Sequence, residues 1–276
     1  MEKQNIIDSH CHIQFPAYDK DRGEVINRAK EANVKMIVLG TQLETSKRAV
    51  ELAHKYPDSI WATVGFHPNH LLDNWHHDKN EQESLDKEEF DLSELGLLAK
   101  DPKVVAIGEV GLDYFYSNDE YVKLRQKEVL AEMIVLAKSL NKPVLTHSRP
   151  TRGTENTYED LIKLVKDLDY SSEIISHFHT GSIKTTKKML GLGFSFSFGG
   201  VVTLTKEFDD LIKIIPLDRL LLETDSPYVS PLSQRGKRNE PSFILETAQK
   251  IAKLKNISEE DLYTSTYSNA KRIFRL

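Results

Sequence analysis

Short apolar runs alternate with amphipathic segments along the chain. Ile6 to Ile13 predicts a first strand, Arg22 to Glu31 a helix, and the VKMIVLG run from Val34 to Gly40 a second strand. Six further strands are predicted over 60–66, 104–110, 143–147, 173–177, 194–198 and 219–223. The other helical patterns cover 45–55, 92–99, 119–140, 158–168, 183–190, 204–214, 242–254 and 258–274.

This regular alternation indicates parallel strands joined by crossover helices. Eight strands in 276 residues favour an α/β fold of the (β/α)8 TIM-like barrel type over an open doubly wound sheet. Because no linker or internal repeat divides the sequence, we expect residues 1–276 to form a single domain. A polar tract over 73–89, rich in Asp, Glu, Lys and Asn, predicts a solvated loop or insertion with little packing potential.

Composition narrows the class of protein. A hydrophobic content of 39% is enough for a sizeable core, and no apolar run approaches the ~18 residues that a membrane span needs. The polar N-terminal residues 1–5 lead directly into a strand, which is not the pattern of a signal peptide. A single cysteine excludes an internal disulfide and is consistent with a reducing, cytoplasmic location. The net charge of −5 argues against a broad basic surface for duplex DNA, but it allows a local grip on phosphates.

The first strand closes on the sequence DSHCH. In an extended strand His10 and His12 would project to the same side, with Asp8 beside them and Cys11 facing the opposite way. Two converging imidazoles form half of a site for zinc or a similar divalent ion. The same pair could also be two surface histidines near the N-terminus, and the HxH spacing alone does not decide between these interpretations.

Similar residue types stand at the ends of other predicted strands, where barrels of this kind carry their chemistry. GFHP closes the third strand, GEVGLD the fourth, THSR the fifth, HFHTG the sixth and ETDSPY the eighth. Each histidine taken singly fits a capped loop or a hydrogen-bonded edge position. A buried cluster of carboxylates and imidazoles, however, would be costly unless a metal neutralised it.

The set DSHCH, GFHP, GEVGLDY, THSR, HFHTG and ETDSPY resembles the TatD-type metal-dependent deoxyribonucleases, a branch of the amidohydrolase-like TIM barrels. The motifs run in the family's order from the first strand to the final helices. The resemblance implies a site for two divalent metal ions, held by His10, His12, Glu109, His147, His177 and Asp225. It also implies that Glu109 is shared between the metals and that Asp225 lies near the attacking water, which makes these two the catalytic candidates. Imidazole and carboxylate ligands fit zinc, manganese, nickel or magnesium.

The strand-six motif departs from the family pattern, which usually has a cysteine and then an aromatic residue after the histidine. This chain has Phe178 and then His179. His177 keeps the spacing to the Thr-Gly pair that follows, and His179 is the alternative ligand. Glu109 stands where some related hydrolases use a carboxylated lysine, which favours the nuclease-like branch. The tract at 73–89 is longer than the family's usual connection, so we expect it to alter the rim of the site.

The implied reaction is the hydrolysis of DNA phosphodiester bonds, in single strands or at ends, by a metal-activated water that Asp225 orients. His67 and Arg149 lie at strand ends that would face the same mouth and are candidates for binding phosphate, although a surface salt bridge is an equal alternative for Arg149. Arg238, in the basic RGKRN loop, is a third candidate, and the alternative there is a solvated turn. No sequence feature indicates an obligate protein partner.

Two other functions fit the same residues. A metal-dependent amidohydrolase or esterase, acting on a small molecule or an aminoacyl ester, could use the same activated water, and the negative net charge suits it slightly better. A non-catalytic metal-binding or scaffold protein could keep the barrel without hydrolysis. The presence of all six ligand types argues against the second of these.

Overall fold

Eight parallel strands follow one another around one sheet in the order β1 to β8. The computed structural model describes residues 5–72, 75 and 77–276. Its strands are β1 Ile6–Cys11, β2 Val34–Val38, β3 Ile60–Val64, β4 Val104–Asp113, β5 Val144–Arg149, β6 Ile174–Ser176, β7 Ser195–Phe198 and β8 Leu220–Leu222. The predicted (β/α)8 fold class is confirmed.

Helices cover the outside of the sheet. They are α1 Arg22–Glu31, α2 Leu43–Lys55, α3 Leu92–Leu98, α4 Glu120–Leu140, α5 Asn156–Asp167, α6 Ile183–Leu190, α7 Asp209–Ile214, α8 Ile244–Lys255 and α9 Glu259–Phe274. The predicted start of α7 at Leu204 is wrong. This helix begins at Asp209 because residues 200–203 form a 3-10 turn, and its first turn carries Asp209 and Asp210, whose charges suit a helix N-terminus.

The barrel closes between its first and last strands at their carboxyl ends. Cys11 and Ser226 form a parallel bridge, and the His12 N–H donates to the Ser226 carbonyl at 2.7 Å. One residue earlier, the Asp225 N–H donates to the His10 carbonyl at 2.8 Å. The seam therefore lies where the predicted ligands stand, and backbone hydrogen bonds fix His10, His12 and Asp225 beside one another.

The helix α9 packs across the opposite, N-terminal end of the barrel. Its Ala270, Ile273 and Phe274 are buried against apolar side chains that point into the barrel. Those inward residues come mainly from the strands: Ile7, Ile37, Leu39, Ala106, Leu145, Ile175 and Leu221. A larger apolar layer fills the space between the sheet and the surrounding helices. The loops that follow the strands thus hold the accessible end of the barrel. No helix of the described part of the chain is long and apolar enough to cross a membrane.

The polar tract is a loop over its described residues, as predicted, but the expectation that it packs little is wrong. Gln82 is buried, and it accepts a hydrogen bond from Gln42 while it donates to two backbone carbonyls of its own loop. Glu81 is half-buried and contacts His70 at 2.9 Å. These contacts anchor the loop on the barrel. Residues 73, 74 and 76 of the tract lie outside the described residues.

Candidate metal centre

His10 and His12 converge at the end of β1, with their Nε2 atoms 3.0 Å apart. The Asp8 carboxylate lies beside the His10 backbone, whose N–H donates to it at 3.2 Å, but among the described residues it is not grouped with the two rings as a metal ligand. The pairing of β1 with β2 is irregular between Asp8 and Cys11, so the strict alternation of side chains is lost there. The Asp8 carboxylate also accepts hydrogen bonds from the backbone and hydroxyl of Thr224, at 3.0 and 2.5 Å, which ties β1 to the residues after β8.

Glu109 lies within β4, where a glycine directly after the neighbouring strand β3 allows its backbone to come close. A Cβ atom added at Gly65 would stand 2.3 Å from the Glu109 nitrogen, so only glycine fits at that position. The Glu109 N–H donates to the Gly40 carbonyl at 2.8 Å. Backbone contacts with two other strand ends therefore hold the carboxylate at the centre of the barrel mouth.

One oxygen of Glu109 faces a first group of donor atoms. Glu109 Oε2 lies 3.2 Å from His10 Nε2 and 3.6 Å from His12 Nε2, and Asp225 Oδ1 lies 3.5 Å from both of these nitrogens. The ligand atoms of a tetrahedral zinc site, with bonds of ~2.0 Å, stand about 3.3 Å from one another. Two imidazole nitrogens and two carboxylate oxygens at these separations fit a divalent ion.

The other oxygen of Glu109 faces a second group. Oε1 lies 3.1 Å from His147 Nδ1, 3.3 Å from His177 Nε2 and 3.3 Å from His67 Nε2. The single carboxylate thus lies between two sets of imidazoles. This is the arrangement expected of a residue shared by two ions. The mixed nitrogen and oxygen donors suit zinc, manganese or nickel better than an ion that prefers oxygen donors alone.

In the neutral ring, His67 and His12 carry their proton on different nitrogens. His67 Nδ1 accepts a hydrogen bond from the Asn69 N–H at 3.2 Å, so in the neutral ring the proton is on Nε2, which faces Glu109. In contrast, His12 Nδ1 donates to the Leu39 carbonyl at 3.1 Å and leaves Nε2 free to accept. His12 therefore has the form of a metal ligand, whereas His67 has the form of a donor to a carboxylate or an anion.

Two further carboxylates hold the histidines of the second group. Asp113 Oδ2 lies 3.1 Å from His147 Nε2, and Glu223 lies 3.3 Å from His177 Nδ1. Glu223 also accepts from the Phe178 N–H at 2.9 Å and from the Ser197 hydroxyl. Carboxylates behind ligand histidines fix the orientation and the tautomer of each ring and raise its basicity.

The cluster strongly displaces the pKa values of its members. Burial alone would raise the pKa of Glu109, but the imidazoles of His67, His10 and His177 outweigh it and hold that pKa well below its usual range. Burial likewise opposes ionisation of Asp225, and the hydrogen bond from His12 nevertheless keeps its pKa lowered. Both carboxylates are therefore anionic at neutral pH, as metal ligands must be.

A family model described as TatD related DNase matches residues 7–275. The chain belongs to the TatD family of metal-dependent hydrolases. Among its TatD-family relatives, the uncharacterized metal-dependent hydrolase YabD of Bacillus subtilis is 38% identical over 275 residues, which cover 98% of this chain and 99% of YabD. The uncharacterized metal-dependent hydrolase YcfH of Escherichia coli K12 is 33% identical over 277 residues, covering 98% and 96% of the two chains. The crystal structure of the TatD homolog YjjV from Escherichia coli K12 matches with a TM-score of 0.82 and 30% identity over 98% of each chain.

Within this TatD-family site, the structure separates the two candidate histidines after β6. His177 joins the cluster, whereas both ring nitrogens of His179 are engaged elsewhere, with Ser176 Oγ at 2.9 Å and Thr186 Oγ1 at 2.8 Å. Burial lowers the pKa of His179 to about 3, so the ring is neutral. The His179 ring packs between Tyr158 and Phe196, so this residue stabilises the loop that follows β6.

The structure does not bring Arg238 to the site, which corrects its expected role in binding substrate. Its guanidinium donates to Asp21 Oδ2 at 2.6 Å and to the Ala17 carbonyl at 2.5 Å, and it stacks over the Tyr18 ring. Because Asp21 neutralises the charge, Arg238 fastens the loop after β8 to the loop after β1. Arg149, by contrast, lines the pocket, and the salt bridge considered for it is not formed with any described carboxylate.

The cluster opens into a pocket of about 300 Å³. One wall comes from the loop that contains the polar tract, through Trp75, Asp78 and Glu81, so this tract forms part of the rim of the site. Tyr228, from the loop after β8, donates to Asp78 Oδ2 at 2.5 Å and connects the two walls. Arg149 is the one lysine or arginine among the described residues that line this pocket.

The GEVGLD motif predicts that Asp113 lines the site or supports a ligand from behind, whereas Glu223, in ETDSPY, carries no predicted role. Asp113 is four residues after Glu109, and Glu223 is two residues before Asp225. Residues an even number of positions apart in a strand point to the same face of the sheet, so Asp113 is expected on the face of Glu109 and Glu223 on the face of Asp225. The even spacing was therefore the available signal. Trp75, Asp78 and Glu81 offered no such signal, because their position depends on how an irregular loop folds back over the barrel.

Proposed function

We propose that this chain is a deoxyribonuclease that hydrolyses phosphodiester bonds of DNA with two divalent metal ions as cofactors. The observation that carries the proposal is the position of Glu109, whose two oxygens face separate groups of imidazoles at 3.1 to 3.6 Å. One carboxylate between two such groups suits a pair of ions that act together on one phosphate. The family description, TatD related DNase, supports DNA as the substrate.

His10, His12 and Asp225 would hold one ion, His147 and His177 the other, and Glu109 both. Bound divalent ions supply Lewis-acid polarisation of a phosphate oxygen and acidify a water molecule, and zinc, manganese, nickel and magnesium can all do this. His177 suits its role because its Nδ1–H donates to Glu223, while its Nε2 faces Glu109.

Asp225 is the residue that we propose to orient the attacking water and accept its proton. Its side chain is 16% exposed, compared with 5% for Glu109, so Asp225 reaches the open pocket while Glu109 lies beneath it. The lowered pKa keeps its carboxylate ready to accept a proton at neutral pH. Its backbone has φ of 54°, a left-handed conformation that aspartate tolerates and that turns the side chain back towards the seam.

The pocket also offers donors for the phosphate. His67 presents a protonated Nε2, and Arg149 is a cation without an acidic partner among the described residues. A confined pocket with one lysine or arginine grips a substrate at one or two phosphates and does not follow a duplex backbone. We therefore propose single strands or strand ends as the DNA substrate.

A second candidate, an amidohydrolase or esterase for a small molecule or an aminoacyl ester, is favoured by one observation. The pocket wall carries the carboxylates Asp78 and Glu81, which repel an extended polyanion. A carbonyl substrate would use the same activated water. Hydrolysis of ester or amide panels without cleavage of DNA would select this candidate.

The test is hydrolysis of single-stranded DNA by metal-stripped protein, to which Mg²⁺, Mn²⁺ or Zn²⁺ is restored one at a time. We expect cleavage with at least one ion, and a loss of about 10²- to 10⁴-fold in Asp225→Asn, which cannot accept the proton. Asp167→Asn, the same change at an exposed position in α5, serves as the control and should keep wild-type turnover. No cleavage with any ion, despite stoichiometric metal binding, would refute the nuclease assignment.

A further inference from the structure

Two aromatic rings stand exposed beside the pocket, directly after β4. Phe115 is 46% and Tyr116 44% exposed, whereas the other described aromatic side chains except Tyr121 are buried or half-buried. The two ring centroids are 5.1 Å apart and the planes are nearly perpendicular, at 86°. Tyr116 lines the pocket that contains the cluster. Large aromatic surface at the mouth of a site is available to a ligand rather than used for folding.

Arg149 lies in the corner between these two rings. Its guanidinium carbon is 3.9 Å from the Phe115 centroid and 4.9 Å from the Tyr116 centroid, and Nη1 donates to the Tyr116 hydroxyl at 3.0 Å. No described carboxylate forms an ion pair with it. The rings therefore hold the guanidinium in place, and its charge remains available to an anion.

This group, which we call the ledge (Phe115, Tyr116 and Arg149), is joined rigidly to the candidate metal centre. The two oxygens of Asp113 have different partners: Oδ1 accepts from the Phe115 N–H at 3.0 Å, and Oδ2 contacts His147 at 3.1 Å. The Tyr114 N–H donates to the Arg149 carbonyl at 2.9 Å. The ledge therefore keeps a fixed place relative to the atoms that would hold the scissile phosphate.

We propose that the ledge is a nucleobase subsite, on which the base of a nucleotide next to the scissile bond stacks while Arg149 contacts the adjoining phosphate. The inference rests on the proposed function. An aromatic face accepts any base, so the subsite is tolerant of sequence, and a guanidinium beside it pairs with the backbone anion. A base within a duplex is covered on both faces, so the ledge selects unpaired nucleotides.

The test compares binding of two fluorescent single strands of equal length, an oligothymidylate and the same backbone with abasic residues. Fluorescence anisotropy in the presence of a chelator gives the Kd of each strand without cleavage. The wild-type chain should bind the strand with bases between about 5-fold and about 100-fold more tightly. Phe115→Leu and Tyr116→Leu should each lower the affinity for the strand with bases much more than the affinity for the abasic strand, and so bring this ratio close to one; a small loss on the abasic strand follows from the Arg149 guanidinium that the rings hold. Tyr263→Leu, a tyrosine in α9 outside the pocket, is the matched control and should keep the wild-type ratio.

A ratio near one in the wild-type chain, or an unchanged ratio in both ledge variants, would overturn the proposal. A loss of affinity shared equally by the two strands would also overturn it, because it would show that the rings support the fold and not the base.

Steady-state cleavage by the metal-loaded enzyme separates this proposal from the proposed function. Phe115→Leu should raise KM for the oligothymidylate and leave kcat unchanged, because the ledge does not touch the reacting atoms. If the wild-type chain prefers the strand with bases in the binding assay but does not cleave DNA with any of the ions, the nuclease assignment fails and the subsite stands.

Discussion

At the scale of single residues, the site is a set of imidazoles that each contact Glu109, and two of them have a second carboxylate behind the ring. His147 is the clearest case, with Glu109 at 3.1 Å from Nδ1 and Asp113 at 3.1 Å from Nε2. Burial would lower the pKa of His147, but its hydrogen bonds to Asp113 and Glu109 outweigh burial and raise the pKa to about 9. Without a metal the ring is therefore a cation at neutral pH, and a divalent ion must displace its proton in order to bind.

This raised pKa predicts a pH dependence of the stability of the metal-free chain. A histidine with a raised pKa in the folded state contributes stability that is fully present below its unfolded pKa of ~6.5 and is lost as pH rises through about 9. We expect the free energy of unfolding by urea, measured in a chelator, to fall across this window. Asp113→Asn should show a smaller fall, because it removes the stronger partner of the ring. A wild-type chain with no fall, or a variant whose unfolding free energy falls as steeply, would contradict this prediction.

Single residues were also where prediction from sequence was weakest. The order of the motifs predicted one cluster, because the carboxyl ends of parallel strands lie at one face of a barrel. The structure places these residues together there: His10, His12, Glu109, His147 and Asp225. Arg238 could not be placed in this way, because whether a loop arginine meets a phosphate or an aspartate depends on a partner 217 positions away in the chain. The assignment of His179 depended on two hydroxyl groups that only the folded loop brings to its ring.

At the scale of elements, the barrel has one chemical end and one structural end. The carboxyl ends of the strands hold the candidate metal centre, while α9 fills the other end with Phe274, which is 2% exposed. Asn269, also in α9, donates to the carbonyls of Leu217 and Leu220 and fixes the helix against the start of β8. This helix contributes to stability and does not touch the pocket.

Phe274→Ala should therefore lower stability and leave the chemistry intact. Removal of a buried phenyl ring from the barrel floor costs about 3–5 kcal/mol, which denaturant unfolding at equilibrium would measure. Turnover per folded molecule should match the wild type at a temperature where the variant remains folded. Phe115→Leu offers the opposite comparison, since an exposed ring at the mouth contributes little to unfolding free energy. A loss of turnover in folded Phe274→Ala would contradict this division of the barrel.

The elements themselves were predictable because buried parallel strands are continuous apolar runs. The prediction ended β4 at Val110, whereas the strand continues to Asp113 and pairs with Arg149 of β5. Gly111 and Asp113 interrupt the apolar run at the end of that strand and so indicate a loop, although Asp113 is a residue that reaches the site. In β1 the local irregularity between Asp8 and Cys11 could not be derived, because it depends on pairing with β2.

At the scale of the whole molecule, charge is distributed unevenly around the pocket. Asp78 and Glu81 line one wall, and the ledge with Arg149 lies at the mouth beside β4 and β5. In a chain of net charge −5, this difference gives a polyanionic substrate one favourable approach. The molecule is thus suited to hold a strand locally at the site, in keeping with the proposed preference for single strands or ends.

Glu109 is the proposed link between two metal positions, and a count of bound ions by isothermal titration calorimetry tests this link. Metal-stripped wild-type chain titrated with Zn²⁺ or Mn²⁺ should take up two ions per molecule. Glu109→Gln keeps the size of the side chain but loses the anionic oxygens, so we expect it to bind at most one ion tightly. Glu207→Gln, at an exposed position, should bind as the wild type does. Uptake of two ions with unchanged affinity by folded Glu109→Gln, or of fewer than two by the wild type, would contradict the account.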